Sequence, residues 1–471
     1  MINMNKYFIK NISYSILVQI IYLGISIFNV IVVPKFLDIQ SYGFWQLYLF
    51  YIGFAGFFHL GLIDGIYLKY GGSDYNMIKK NIVRMQFWSL VLIEVIFSCI
   101  IYFILFNIKL SLNSDKYIIL LFSIFNITII TIQTFFLFIL QSTNRIKEYS
   151  FFSILNKFIY FIFITIIIFL KFNNYIYFIF IDIISKIITI TILMLKYKDL
   201  IIGPFSTFKF FLIETKNDLL SGNKLMLSNI TGILILGVIR FFIEQYWDIE
   251  TFGKISFSLN ISQVLLLFVS AISIVLFPLL KKLNEKRLRE LYENINILLM
   301  FIFITTLISY FPIRYILGIW LPSFNDKLNY LVILFPIVLY ESKMSLLGNS
   351  YLKSLRKEGK MLKFNFISFL LSTFLCILFI VYFKDLNLAV ASILFVFAFR
   401  SIITELYLSQ LFKIKILHNI MIELFITIAF IATGWLFSLL LGAIIFIILY
   451  LLLTFIFRKQ IMHSFSFFKN H

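Results

Sequence analysis

The sequence carries little charge. Only 13% of its 471 residues are Asp, Glu, Lys or Arg, whereas 61% are hydrophobic, and the mean hydropathy is +0.99. Soluble domains carry about 25% charged residues, so this chain cannot cover a water-facing surface. The composition therefore excludes an ordinary soluble protein and indicates that the apolar excess faces lipid.

Cysteine, proline and glycine are also scarce. The two cysteines, Cys99 and Cys376, lie in apolar stretches far apart, which excludes a disulfide framework. No GxxxxGK[ST] phosphate loop occurs, so we expect no ATP hydrolysis by this chain. The four histidines are scattered, without acidic or cysteine partners at ligand spacing. We therefore predict no catalytic residues, no metal site and no cofactor.

Long uncharged runs recur along the chain. A helix needs about 20 apolar residues to cross a bilayer, and the alternating pattern of an outer-membrane barrel is absent. We therefore predict an all-α membrane protein. About 14 transmembrane helices are predicted, near 11–33, 42–68, 82–106, 117–141, 149–170, 174–196, 223–244, 254–280, 292–317, 328–352, 362–383, 387–412, 419–435 and 437–457. The last two depend on a turn at Gly434, and a single long span over 424–457 stays open.

The basic residues fall mainly on one side of these spans. With the N-terminus inside, the inner segments hold 28 of the 41 Lys and Arg residues, the outer segments hold 8, and 5 lie within spans. Cytoplasmic loops are enriched in Lys and Arg, so we predict that both termini are cytoplasmic. The basic residues behind the formal charge of +19 are distributed according to the predicted spans, so no nucleic-acid partner is predicted. The first apolar run is too long for a signal-peptide core and is expected to remain as the first helix.

A short motif occurs twice, 210 residues apart. Asp38–Gly43 (DIQSYG) follows the first span, and Asp248–Gly253 (DIETFG) follows the seventh. Each Asp can cap the next helix, and a separation of six spans predicts a parallel repeat with its axis along the membrane normal. A chance match of turn residues is the alternative. The repeat predicts a six-helix lobe over 1–196, a cytoplasmic linker over 197–222, a second six-helix lobe over 223–412, and a C-terminal helix pair with a basic tail over 413–471.

Residues 41–72, SYGFWQLYLFYIGFAGFFHLGLIDGIYLKYGG, resemble the Wzx-type flippases of polysaccharide biosynthesis in the multidrug/oligosaccharidyl-lipid/polysaccharide exporter superfamily. The resemblance implies two six-helix lobes around a central cavity and alternating access. It implies an undecaprenyl-diphosphate-linked glycan as substrate, a location in the bacterial cytoplasmic (inner) membrane, and a role in O-antigen, lipopolysaccharide or capsule synthesis beside the polysaccharide polymerase machinery. It also implies that the additional helix pair holds the lipid tail.

Charges inside the predicted spans are the candidate functional residues, because a charge at the bilayer centre costs about 2.5–3.5 kcal/mol or more. A cationic cavity would offset the desolvation of a diphosphate, and Arg fits phosphate oxygens in a bidentate manner. Arg400 has no acidic residue three or four positions away, which favours an anionic ligand over an interhelix salt bridge. The proposed substrate-binding residues are Arg400, Lys186, Lys343, Arg240 and Lys157, and the candidate ion-coupling residues are Glu94, Asp182, Glu341 and Asp64.

Spacing leaves alternatives open for several of these residues. Asp182 with Lys186 and Arg240 with Glu244 are i,i+4 pairs, which also fits structural ion pairs. Glu341 and Lys343 are two residues apart, so at least one needs a partner on another helix.

Other functions fit the sequence less well. A drug/ion antiporter of the same superfamily is the second hypothesis. A membrane polymerase or ligase would need a large outer loop, which this sequence lacks, and a scaffold function would leave the buried charges unexplained. Trp45, Tyr48 or Tyr51 could stack on a sugar or lie at the membrane interface.

Overall fold

The computed structural model of the chain describes residues 2–108, 114–280 and 284–469, without most side chains of 2–19 and 268–279. All regular structure in these ranges is helical, which confirms the predicted fold class. The α-helices are α1 (Ile2–Phe36), α2 (Ile39–Ile52), α3 (Leu62–Lys69), α4 (Lys80–Ile108), α5 (Ser114–Ser142), α6 (Ile146–Phe169), α7 (Tyr175–Lys196), α8 (Phe208–Tyr246), α9 (Ile249–Leu280), α10 (Glu285–Ile308), α11 (Tyr310–Trp320), α12 (Tyr330–Leu334), α13 (Ile337–Lys343), α14 (Ser350–Ser354), α15 (Glu358–Cys376), α16 (Leu386–Phe412), α17 (Leu417–Leu436) and α18 (Leu439–Lys469).

The helices have the length and composition of membrane spans. In the described part of the chain, eleven helices or continuous helix series are apolar enough to cross a bilayer, and α2 with α3, bent by 58°, forms a twelfth. The long helices α1 and α9, whose side chains are described only in part, lie at the first and eighth predicted spans. Every predicted span therefore has a helix or a helix series at its position, and the chain is a multi-pass membrane protein.

The last apolar stretch forms two helices, but the turn differs from the predicted one. α17 ends at Leu436 and α18 begins at Leu439, so Gly434 lies inside α17. A Cβ at Gly434 would lie 2.3 Å from Cγ2 of Val332. Gly434 therefore allows close side-chain packing, and the prediction that it forms the turn is wrong.

The two copies of the repeated motif begin helices at the same register. α2 and α9 each start one residue after the motif's Asp. Asp248 caps α9, because its Oδ1 accepts the backbone N–H of Thr251 at 2.7 Å. Asp38 makes no such side-chain bond, so the predicted capping is wrong for the first copy.

The chain divides into two compact units, Met1–Ile233 and Leu234–His471, and the boundary lies within α8. Much of the predicted linker 197–222 is helical, because α8 already begins at Phe208.

In the first unit, α3 and α8 approach each other at backbone distance. A Cβ at Gly65 would lie 1.9 Å from the backbone oxygen of Asp218, and one at Gly222 would lie 2.0 Å from that of Gly61. Gly61 also has a left-handed backbone, with φ +82°. Only glycine permits this spacing, as at helix pairs with small residues every four positions. The GLIDG segment of the sequence is thus explained by packing.

In the second unit, the tenth predicted span is broken into short pieces. α12 and α13 are separated at Pro336, and a π-helical turn over Met344–Asn349 follows Lys343 directly. Proline removes a helix hydrogen bond, and π-turns are frequent at functional sites. This span is also largely buried, since 89% of its most apolar window lies inside the protein. The break places Lys343 at an irregular position of a buried helix.

Candidate functional site

The first buried network surrounds Asp182 on α7. Lys186, one turn later, pairs with its carboxylate, which confirms the predicted i,i+4 contact. The Tyr48 hydroxyl of α2 donates to Asp182 Oδ2 at 2.7 Å, and the Asn126 amide of α5 donates to the same oxygen at 2.8 Å. All four side chains are buried. We call this set the Asp182 network, and its hydrogen bonds join three helices of the first unit.

Lys157 lies beside this network without joining it. The side chain is partly exposed on α6, and no carboxylate of the described residues lies within ion-pair distance of it. Its Nζ lies 6.0 Å from the ring centroid of Tyr22. With Asp182 and Lys186 neutralising each other, Lys157 gives this region a surplus positive charge.

The second buried network lies in the second unit. Lys343 Nζ is 2.7 Å from Oε2 of Glu405 on α16 and 2.6 Å from Oε1 of Glu423 on α17. The Ser401 hydroxyl donates to the other Glu405 oxygen at 3.0 Å. The three charged side chains are at most 4% exposed. This Lys343 triad has two acids and one base, so it carries a surplus negative charge when all three are ionised.

Arg400 is paired with an acidic residue of another helix. Its guanidinium contacts the carboxylate of Glu341, which lies on α13. The structure thus shows the interhelix salt bridge, which the sequence pattern ranks below an anionic ligand for Arg400. Sequence spacing reveals partners on the same helix only, whereas this contact is formed by the packing of α13 against α16. The expectation that Glu341 or Lys343 has a partner on another helix is confirmed for both residues.

Arg240 lies on α8 near the start of α9. Its Nη2 donates to the Ser256 hydroxyl at 3.0 Å, and its guanidinium lies 5.2 Å from the Phe252 ring centroid. Phe252 belongs to the second copy of the repeated motif. The guanidinium is thus held by α9 as well as by its own helix.

The remaining two candidates, Glu94 and Asp64, are buried apart from these networks. Glu94 is 1% exposed, and its Oε1 has no hydrogen-bond partner among the described residues. Asp64 lies 3.7 Å from Nδ1 of His59. Neither carboxyl group lies within hydrogen-bond distance of a Lys or Arg side chain of the described residues.

Sequence reasoning missed Glu423, Tyr48 and Asn126 as members of these networks. Glu423 is the only acidic residue of α17, and its position beside the long uncharged run was a usable signal. Tyr48 was considered for stacking on a sugar, but it is fully buried and bonded to Asp182. Asn126 carries no charge, so hydropathy does not single it out.

Outside the spans, one ion pair joins the segment after α7 to the start of α4. Asp199 lies 2.8 Å from Lys80 Nζ and accepts the Tyr75 hydroxyl at 3.1 Å. Partial burial acts to raise the pKa of Asp199, but the bonds from Lys80 and Tyr75 outweigh it and hold the pKa below its usual value. A second ion pair joins Lys69, at the end of α3, to Glu214 of α8 at 2.6 Å.

Solved structures of several transporters share this architecture. An inward-facing multidrug resistance MATE family transporter of the MOP superfamily aligns with a TM-score of 0.65 at 12% identity, over 84% of this chain and 98% of that one. The lipid II flippase MurJ in an inward closed conformation aligns with a TM-score of 0.66 at 15% identity, over 96% of this chain and 100% of the flippase. A MOP superfamily transporter from Pyrococcus furiosus aligns with a TM-score of 0.58 at 11% identity, over 86% of this chain and 94% of that one.

No protein-family model matches the sequence, and no curated protein matches it significantly. At identities of 11–15% the likeness concerns the fold. The chain therefore has the fold shared by MATE multidrug transporters of the MOP superfamily and the lipid II flippase MurJ.

Proposed function

We propose that this chain is a flippase that moves undecaprenyl-diphosphate-linked oligosaccharide repeat units across the bacterial cytoplasmic membrane by ion-coupled alternating access. The observation that carries the proposal is the alignment with a lipid II flippase over 96% of the chain, against 84–86% for the MATE transporters with comparable TM-scores. The resemblance of residues 41–72 to the Wzx-type flippases supports the same substrate class, and polysaccharide polymerase machinery would use the product.

The charge distribution supports an anionic cargo in the first unit. Lys157 supplies the surplus positive charge beside the Asp182 network, and a diphosphate entering this region would need cations to offset its lost hydration. Lys186, Lys343 and Arg400 each already bind a carboxylate, so they would have to exchange that partner for a phosphate. Lys157 is therefore the first of the five proposed cationic residues to test.

Ion coupling is proposed for buried acids. Glu94 has an unbonded carboxyl oxygen, and Asp182 and Glu341 accept interhelix hydrogen bonds that protonation would change. The carboxylate of Asp64 lies 3.7 Å from His59. A proton or cation bound at such a group would be released when the transport cycle rearranges the residues around that group.

The proposed function is tested by deleting the gene and analysing lipid-linked glycans. We expect isoprenoid-linked repeat units to accumulate on the inner leaflet and surface polysaccharide to be lost. Complementation with Lys157→Gln should restore little export, whereas Lys171→Gln, the same change in the exposed turn that follows α6, should restore it. Unchanged surface glycan in the deletion strain would refute the flippase assignment, and full export by Lys157→Gln would refute the role of that lysine.

A drug/ion antiporter is the second candidate, and the Lys343 triad favours it. Its surplus carboxylate provides a cation-binding charge of the kind an antiporter needs. Under this alternative the deletion strain would keep its surface glycan and become more sensitive to cationic drugs, so the same strain separates the two functions.

A further inference from the structure

A cavity opens at one end of the second unit, where the turn between α17 and α18 meets α11 and the loop that follows it. Its volume is about 550 Å³. The polar part is lined by Arg314 of α11 and by Asn325 and Asn329 of the loop, and the rim includes Trp435 and Phe437. None of these residues belongs to the buried networks described above. We call this cavity the Arg314 pocket.

The guanidinium of Arg314 is available to an anion. Among the described residues no carboxylate lies within ion-pair distance of it, and its Nη2 donates to the amide oxygen of Asn329 at 3.2 Å. Asp326, the acidic residue of the same loop, instead binds Lys254 at 3.0 Å. Since an amide does not neutralise a guanidinium, the pocket keeps a full positive charge and several free N–H donors.

Gly318 provides the space for this polar surface. It lies one turn after Arg314 on α11, and a Cβ at this position would lie 3.1 Å from Nη1 of Arg314 and 3.6 Å from Oδ1 of Asn325. A larger side chain at residue 318 would therefore fill the pocket and displace the guanidinium. This makes Gly318 a steric test site that leaves the charge unchanged.

The outer rim of the pocket is apolar and exposed. Tyr315 and Ile319 are 62% and 66% exposed, and Trp435 is also exposed, in the pattern of aromatic residues at a membrane interface. α18 starts at the rim and is the most exposed of the eleven spans found among the described residues, with 11% of its most apolar window buried. An occupant of the pocket therefore meets a cation and two amides inside and an apolar helix surface outside.

We propose that the Arg314 pocket binds the anionic phosphate head group of a membrane lipid, whose apolar chains lie in the surrounding bilayer. The planar guanidinium and the neighbouring amides match phosphate oxygens. The exposed apolar rim favours an amphiphile over a soluble anion. A phospholipid and an isoprenoid phosphate share this head-group chemistry, so the site does not depend on the proposed transport function.

The test is lipid titration of the purified, delipidated full-length protein, followed by native mass spectrometry. The probes are phosphatidylglycerol, phosphatidylcholine with the same acyl chains, an isoprenyl monophosphate and inorganic phosphate. Arg314→Gln removes the charge, Asn329→Asp neutralises it without adding bulk, and Gly318→Leu fills the space. Lys327→Gln is the matched control, because Lys327 is a cation of the same loop outside the pocket.

We expect an anionic lipid to bind more tightly than phosphatidylcholine, and each of the three pocket variants to weaken its binding about tenfold or more. Lys327→Gln should bind like the wild type. A preference for phosphatidylglycerol or for the isoprenyl phosphate would identify the source of the head group, and either supports the proposal. Wild-type binding by both Arg314→Gln and Asn329→Asp, or equal binding of inorganic phosphate and anionic lipid, would overturn it.

Discussion

Among single residues, Lys343 is a buried charge whose stability depends on carboxylates from other helices. Its ammonium group is fully buried and is held by the carboxylates of Glu405 and Glu423, which come from two different helices. Burying charges in a medium of low polarity is stabilising only when each charge keeps its partner. Removing the single base leaves two acids facing each other, whereas removing one acid leaves a balanced pair. Only the first kind of substitution should therefore lower the stability.

We expect Lys343→Met to destabilise the protein by about 3–5 kcal/mol, because it leaves uncompensated buried carboxylates. Glu423→Gln keeps the side-chain volume and removes the surplus charge, so its stability should equal or exceed that of the wild type. Thermal unfolding of the purified proteins in detergent measures both effects. Lys363→Met, the same change at an exposed position of α15, serves as the control. Equal unfolding temperatures for Lys343→Met and Lys363→Met would contradict the structural role of the triad.

At this scale the sequence identified most of the buried charges but not their partners. The Asp182–Lys186 pair was predictable because a helix brings residues four apart together. The contact of Arg400 with Glu341 was not, because 59 residues separate them and only the packing of two helices joins them. Glu423 was not identified from the sequence because it lies at the edge of a predicted span, where an acidic side chain is commonly solvated.

Among the helices, the contact of α3 with α8 shows how glycine fixes a spacing. Gly65 faces the backbone of Asp218 so closely that no side-chain atom fits between the two helices. Elsewhere in a helix, glycine is a cost, since alanine is about 1 kcal/mol more favourable at an unconstrained position. The sign of the stability change caused by a glycine-to-alanine substitution therefore reports whether a neighbouring helix occupies the space that the new methyl group needs.

Gly65→Ala should lower the stability, by about 1–3 kcal/mol or more, because the new methyl group overlaps backbone atoms of α8. Gly24→Ala is the matched control: no described atom lies within 4 Å of a Cβ at Gly24, so this change should be neutral or stabilising. Urea or thermal unfolding of the two variants, measured in the same detergent, compares them directly. If Gly65→Ala were as stable as Gly24→Ala, the close approach of α3 and α8 would be refuted.

Helix positions were more predictable than helix interruptions. Runs of about 20 apolar residues located each span, since hydropathy follows directly from the lipid environment. The division near Pro336 and the π-turn after Lys343 leave no hydropathy signal, because the span stays apolar throughout. The role of Gly434 was also not predictable, since a glycine that forms a turn and a glycine that leaves space for the Val332 side chain look identical in the sequence.

For the whole molecule, the prediction concerns its orientation in the membrane. The excess of Lys and Arg in alternate loops predicts cytoplasmic termini. α16 offers a matched pair of probes, because Lys384 and Lys413 lie at its two ends, are both exposed, and both have a left-handed backbone with φ of 53° and 54°. Only their predicted sides differ.

We expect Lys384→Cys to react with a membrane-impermeant maleimide in intact cells and Lys413→Cys to react only after permeabilisation. Both are made in a background with Cys99→Ser and Cys376→Ser, which removes the two native thiols. Gel-shift of the labelled protein is the measurement. The reverse pattern would show that the basic loops face outward and would overturn the predicted orientation.

The separation of charges along the chain has a consequence for biosynthesis. Lys343 leaves the ribosome 62 residues before Glu405 and 80 residues before Glu423. At roughly 5–20 residues per second, the lysine waits several seconds for its first counter-charge. During this interval α13 must be retained by the insertion machinery or by a chaperone, since release into lipid would strand a bare ammonium group. We therefore expect the helices that carry the triad, α13, α16 and α17, to enter the lipid together, and slow translation between codons 343 and 423 to raise the fraction that is degraded.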